Sequence, residues 1–278
     1  VTIDGIPRFR MVLTLRQPGV YSGCGATYDS DGDLLLKFKI LTNSLEGMTI
    51  GIDPGHGYTR EGVFDPGSIG YIREVEANLA VAKEVESQLT ALGANVIRLK
   101  TESEVADTEN RPNILRPYGI DMFISIHSNK MKGVETARGT EAYYFTSYSQ
   151  PLASAISSQV ADYFTHNVYS DGANKNRGPK YSYYLVTRQQ DFPSILVEMG
   201  FVSNQEDAFA LADANHQKNI AARIVKGIQN YISRSNISSI SNGASETEPV
   251  TTTEEKDEPP ADTDAEPVEF IAGIKEKE

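Results

Sequence analysis

Four side chains in this sequence are of the types that hold a metal ion and move a proton: His56, Glu74, His127 and Glu198. His56 closes the stretch Met48–Gly57, MTIGIDPGHG, an apolar run that stops at a glycine-bracketed histidine. His127 ends DMFISIH, and Glu198 interrupts SILVEMGF with no basic residue beside it. Two neutral imidazoles and one carboxylate are a common set for a catalytic zinc ion, with one coordination position left to water. Such a metal lowers the pKa of its water toward ~7 and polarises a scissile carbonyl. A further carboxylate outside the ligand set must then take and return the proton.

Each residue also has a plainer role open to it. His56 could be a turn residue, and His127 a hydrogen-bonded core histidine. Glu74 could be an acid favoured by the positive end of a helix dipole. Glu198 could pair with Arg188 or Arg223. An unpaired buried carboxylate is costly, so a metal or an activated water would account for Glu198 more directly. His166 and His216 read as solvated helix-end residues. Serine and cysteine nucleophiles find no support: there is no G-x-S-x-G elbow, and the single Cys24 lies in a turn-rich N-terminal stretch.

The elements that would position these groups follow from hydrophobic periodicity. Met48, Ile50 and Ile52 alternate as a short buried strand does, and Asp53-Pro54-Gly55 ends it. His56 thus lies just past a strand's carboxyl end, where ligands collect in open α/β sheets. A helix is expected over 73–92, stopped by Gly93, with the stripe Val75, Leu79, Ala82, Val85, Leu89 and Leu92. At ~100° per residue, Glu74 lies about 65° from the stripe's centre and Glu76 about 135°. Glu74 and Asn78 therefore flank the buried face, and Glu76 faces solvent.

Further strands are expected at 95–99, 121–127, 139–146, 183–187 and 194–198. Helices are expected at 107–118, interrupted by Pro112 and Pro117, at 150–166, at 204–212 and at 215–232. The alternation predicts an α/β domain over 48–233, a mostly parallel open sheet of about six strands with helices on both faces. Residues 1–47, with strands at 11–15 and 33–40, read as a β appendage or the remnant of an upstream β module. Residues 234–278, rich in Ser, Thr, Glu, Asp and Pro, read as a disordered acidic linker or tail.

Charge is unevenly divided along the 278 residues. Residues 236–278 hold 12 of the 38 acidic and 3 of the 26 basic residues, so they carry −9 of the net −12. The remainder is nearly neutral, with no nucleic-acid-binding face implied. No apolar run approaches the ~20 residues of a membrane span. One cysteine allows neither an internal disulfide nor a cysteine-rich zinc site. The chain starts at Val1 with no basic-plus-apolar leader, so any export signal is expected outside it.

TIGIDPGHG, EVEANL (74–79), FISIHSN (123–129) and LVEMGFVSN (196–204) occur in that order. Together they resemble the zinc-dependent N-acetylmuramoyl-L-alanine amidases of the amidase-3 type, across about 48–233. The resemblance implies one zinc ion on His56, Glu74 and His127, with Glu198 as the catalytic acid and base. It implies cleavage of the amide between the lactyl group of N-acetylmuramic acid and L-alanine of the stem peptide. The partner would be peptidoglycan, the setting the wall or exterior of a Gram-positive bacterium, and the state a monomer.

Two departures from the family pattern matter. Leu99–Lys100 stands where a Thr-Arg pair is common, which puts a supporting pairing in question. The stretch 128–138 is short, without the insertion that forms a blocking helix in some relatives, so an open site is expected. The polar run 167–182 is the expected source of substrate contacts, with Asn176, Arg177 and Lys180 as candidates for stem-peptide carboxylates. A different zinc amidohydrolase or exopeptidase, or a non-catalytic wall-binding module, remains the alternative reading.

Overall fold

The computed structural model describes residues 2–3, 6–7, 21–58, 62–99 and 111–240, with side chains over 21–233 within those ranges. Its elements are β1 (Thr2–Ile3), β2 (Ile6–Pro7), β3 (Tyr21–Tyr28), β4 (Leu34–Ile40), β5 (Thr49–Pro54), β6 (Gly57–Tyr58) and β7 (Phe64–Asp65). Then come α1 (Glu74–Ala91), β8 (Asn95–Arg98), α2 (Arg111–Leu115), a 3-10 turn (Arg116–Tyr118), β9 (Met122–Asn129) and β10 (Thr140–Tyr144). The rest are α3 (Gln150–Asn167), β11 (Asn176–Tyr181), β12 (Ser194–Phe201), α4 (Gln205–Ala212) and α5 (Ala214–Ile240). The strand expected at 11–15 and residues 241–278 lie outside the described residues.

Six strands form the central sheet in the order β11-β10-β12-β9-β5-β8. β8, β5, β9 and β12 run parallel; β10 opposes β12 and is parallel to β11. The chain moves from β5 outward to β8, then returns to place β9 on the other side of β5. The strand order therefore reverses between β5 and β9, and such a reversal opens a crevice at the strands' carboxyl ends. His56 follows β5 and His127 lies near the end of β9. The two histidines flank that crevice.

Alternation along the strands makes two cores of unequal size. Ile50, Ile52, Ile124, Ile126, Ile195 and Val197 face α1, α3 and α5 in the larger one. Fully burying one such side chain contributes about 1.5–3 kcal/mol. Phe123 and Leu196 face the other way, onto Leu115 of α2, Ile120, Val186 and Phe192. Helices thus cover both sides, but α2 alone serves the second, helped by the loop after β11.

α1 ends at Ala91, with Gly93 at φ 85 just beyond, as its sequence indicates. Its buried face is Ala77, Val81, Ala82, Val85 and Leu89, with Glu74 and Asn78 in the middle of it rather than at its flanks. Val75 and Leu79, expected in the stripe, are only half-buried at its edge. Leu92, expected in the stripe, lies past the last turn and is 44% exposed. The helix expected at 107–118 is only α2 and a 3-10 turn within the described residues, broken up by its prolines. α5 continues past Ser233 to Ile240, because Ser and Asn lower helix propensity without stopping a helix as Gly or Pro would.

The strand expected at 183–187 is a turn, closed by the Thr187 amide donating to the Tyr184 carbonyl at 3.0 Å. The strand in that region is β11, NRGPKY, in the segment expected to be a polar loop. It lies at the sheet edge and its pairing with β10 is bulged beside Gly178, both settings in which a strand accommodates Gly178 and Pro179. The β3–β4 hairpin packs on the main domain. Cys24 is buried, its amide donates to the Gln190 carbonyl at 2.7 Å, and Lys39 pairs with Asp121 at 2.9 Å.

Candidate active site

The β5–α1 loop is built to present a histidine. His56 has φ 67, the one positive φ outside glycine among the described residues. That conformation is strained for a side chain with a Cβ, by about 1–2 kcal/mol, and strain of this kind gathers at functional sites. Arg111 holds it in place. Its buried guanidinium donates to Asp53 Oδ1 at 2.8 Å, to the Pro54 carbonyl at 3.3 Å and to the His56 carbonyl at 3.2 Å. Ser125 donates to the other Asp53 oxygen at 2.7 Å. The loop thus gains an arginine support from α2 despite the departure at 99–100.

Glu74 is the first residue of α1, so its carboxylate sits at the positive end of the helix dipole. Its Oε1 lies 3.1 Å from His56 Nε2 and 3.0 Å from His127 Nδ1. Ser68 and Ser128 amides donate to the two oxygens, at 2.7 and 3.2 Å, and Asn78 Nδ2 to Oε1 at 3.4 Å. Asn78 in turn accepts from the Ser128 hydroxyl at 3.0 Å. Burial alone would raise the pKa of Glu74, but hydrogen bonds and charge from His127 and His56 outweigh it and hold the group well below the usual carboxylate range. Glu76, two residues on, is exposed and pairs with Arg73.

One donor atom from each of His56, Glu74 and His127 falls within 4.8 Å of the others, so the trio could hold a metal ion. Asp65 Oδ2 lies 2.7 Å from His56 Nδ1, fixing the ring so that Nε2 faces the trio. Metal-binding histidines are commonly oriented in this way. Burial lowers the His56 pKa, but Glu74 and Asp65 more than reverse that and raise it. Two glycines clear the space. A Cβ on Gly55 would stand 2.2 Å from His127 Cε1, and one on Gly67 would stand 2.5 Å from His56 Cδ2 and 2.8 Å from Glu74 Oε2.

Glu198 stands beside this trio in the sheet. It is the register partner of His127 on one side and of Glu141 on the other. Its Oε2 is buried with no hydrogen-bond partner among the described residues. Neither arginine weighed as its partner reaches it: Arg188 lies over the Tyr183 ring and Arg223 faces Asp162. Burial, then the charges of Glu74 and Glu141, push its pKa well up. Such an acid can give a proton as well as take one.

Asn176, Arg177 and Lys180 lie on β11, two strands beyond Glu198. Arg177 Nε and Lys180 Nζ both meet Glu141 Oε2, at 2.6 and 2.5 Å, while Asn176 Oδ1 accepts the Gly178 amide. His216 is half-buried and bonded to the Tyr163 hydroxyl at 2.8 Å, rather than solvated. His166 is exposed on Asp162. Asp65, Gly67, Arg111 and Glu141 are absent from the sequence-based set. Only Glu141 carried a signal there, as a lone acid in an apolar strand.

The family model described as N-acetylmuramoyl-L-alanine amidase, Amidase_3, matches residues 50–230. YqiI of Bacillus subtilis is 35% identical over 192 residues, 67% of this chain and 86% of that protein. N-acetylmuramoyl-L-alanine amidase LytC of the same organism is 32% identical over 69% of this chain, which spans only 37% of LytC. Among solved structures, the amidase AmiC2 of Nostoc punctiforme superposes with TM-score 0.59 at 28% identity, covering 67% of this chain and 98% of that one. The catalytic domain of CwlV from Paenibacillus polymyxa gives 0.58 at 28%, covering 66% and 98%. The chain belongs to the Amidase_3 family of N-acetylmuramoyl-L-alanine amidases.

Proposed function

We propose that the chain hydrolyses the amide between the lactyl group of N-acetylmuramic acid and L-alanine of the peptidoglycan stem. In this reading His56, Glu74 and His127 hold one zinc ion and Glu198 handles the proton. The observation that carries the reading is the Glu198 carboxyl, whose buried Oε2 has no hydrogen-bond partner among the described residues, in register with one member of a converging His-Glu-His trio. The donors fit zinc by chemistry: two imidazoles and one carboxylate are a set that in catalytic zinc sites leaves one coordination position to water. Bound there, zinc would acidify a coordinated water and polarise the scissile carbonyl.

Everything else falls to the chain's own groups. Asp65 keeps the proton on His56 Nδ1, leaving Nε2 free to ligate. Ser68, Ser128 and Asn78 hold the Glu74 carboxylate in place through its hydrogen bonds. Glu198 takes the proton of the attacking water and delivers it to the leaving alanine nitrogen.

The connection between Asn129 and Thr140 contains turns and no helix, so the reading includes a site that needs no displacement of a blocking element. A truncation that raised specific activity several-fold would contradict that part. The wall or exterior of a Gram-positive bacterium is the expected setting; two curated relatives are named probable cell wall amidases of Staphylococcus epidermidis. Asn176, Arg177 and Lys180 are proposed to lie along the stem peptide. Metal analysis of the active protein tests the reading. About one zinc per chain supports the amidase, whereas two would favour an aminopeptidase-like site.

A further inference from the structure

Glu141 is 2% exposed and gathers four donors: Asn129 Nδ2 at 2.8 Å, the Tyr143 hydroxyl at 2.7 Å, Arg177 Nε and Lys180 Nζ. A buried carboxylate so surrounded is held ionised. Burial raises its pKa, but Lys180, Tyr143 and Arg177 lower it further. Arg177 is fixed at two points. Its Nε is bound to Glu141, and its guanidinium carbon lies 5.0 Å from the centre of the Phe201 ring. Its side chain remains 31% exposed, and Nη1 and Nη2 make no hydrogen bond among the described residues. Those two nitrogens belong to a group built to meet a carboxylate oxygen by oxygen.

The other two candidates on β11 are engaged differently. Asn176 uses its side-chain oxygen on its own turn, and Lys180 places its ammonium on Glu141. We infer that Arg177, positioned by Glu141 and Phe201, is the residue that reads a carboxylate of the stem peptide. This rests on the amidase reading above, and it goes further by assigning specificity to one residue. Glu141 is the register partner of Glu198 on one side and of Gly178, next to Arg177, on the other. Two strand spacings separate Glu198 from β11, about 10 Å. An extended peptide covers ~3.3–3.6 Å per residue. The carboxylate read would therefore belong to the second or third residue beyond the scissile amide.

Three soluble muropeptides test this: one with every stem carboxylate free, one with the second-residue carboxylate amidated, and one with the third amidated. The zinc-loaded wild type is expected to show a KM about 10- to 100-fold higher on one of the amidated substrates, the range of a lost charged hydrogen bond. Arg177→Gln should raise KM on the free-acid substrate to that same level and leave kcat within about threefold, with zinc content unchanged. Arg177→Lys should restore part of the discrimination. Glu141→Gln should raise KM on the free acid and not on the amidated substrate.

A merely structural Arg177 would lower activity on all three substrates by one factor, which would overturn the inference. Equal KM values for wild type on all three would do the same while leaving the amidase reading intact. Failure of wild type to cleave any of them would remove the amidase reading and Arg177's role with it.

Discussion

Glu198 and His127 are register partners on adjacent parallel strands, so both side chains leave the same face of the sheet at its carboxyl-terminal edge. This relationship separates metal binding from proton transfer. His127 converges with Glu74 and His56, whereas the Glu198 Oε2 has no partner among the described residues. Glu198→Gln should therefore keep zinc at the wild-type stoichiometry and lower kcat by about 10²–10⁴, the usual contribution of a positioned acid–base. Zinc analysis alongside turnover checks this. Loss of metal together with activity would make Glu198 a ligand instead.

Gly67 and Gly119 share φ 66, but a Cβ on Gly67 would meet His56 and Glu74, whereas one on Gly119 would meet nothing within 4 Å. The pair separates backbone strain from crowding of the site. Gly119→Ala is expected to lower stability by about 1–2 kcal/mol with unchanged zinc affinity. Gly67→Ala should weaken zinc binding at least tenfold in addition, measured by competition with a chelating dye. Equal zinc affinities in the two variants would mean that Gly67 does not shape the site.

Asp65 holds His56 through Nδ1. Asp65→Ala should reduce metal affinity about 10- to 100-fold, as loss of such an orienting carboxylate commonly does. Glu76→Ala, on an exposed residue of α1 whose partner among the described residues is Arg73, should leave affinity unchanged. Isothermal titration with zinc distinguishes the two variants from wild type.

The pH dependence follows from the raised pKa of Glu198, caused first by burial and then by the charges of Glu74 and Glu141. To accept a proton from water, Glu198 must be ionised, so kcat/KM should fall as pH drops through its pKa. Zinc bound on the neighbouring trio would oppose the rise, so the acidic limb should lie lower in the zinc-loaded protein than burial alone would place it. Glu141→Gln removes one neighbouring negative charge, so the limb should move to lower pH. A limb that moved upward, or did not move in the metal-loaded enzyme, would show that Glu141 does not act on Glu198 through charge.

Much of this site was legible because burial leaves marks in sequence. A lone acid in SILVEMGF, and histidines ending apolar runs, stand out against strands that bury both faces. The helical face that selects Glu74 over Glu76 follows from geometry alone, and Glu74 is buried while Glu76 is exposed. The supporting residues were less visible, because their roles depend on contacts between distant segments. Arg111 reaches Asp53 across 58 positions, and Asp65 finds His56 only once β6 and β7 pair. Glu141 bears the same mark as Glu198, an acid within the apolar stretch GTEAYYF. The edge strand β11 was hidden because NRGPKY lacks the apolar alternation that marks a half-buried strand, and its hydrogen bonds to β10 do not require one.

The most direct test of the account is mass spectrometry of purified peptidoglycan after digestion by the zinc-loaded protein, by the protein with a chelator, and by Glu198→Gln. The account predicts intact glycan strands carrying unsubstituted lactyl carboxyls, and released stem peptides with free L-alanine amino termini, from the zinc-loaded wild type alone. Cleavage at any other bond, or release of the same peptides at the wild-type rate by Glu198→Gln or in the presence of chelator, would contradict it.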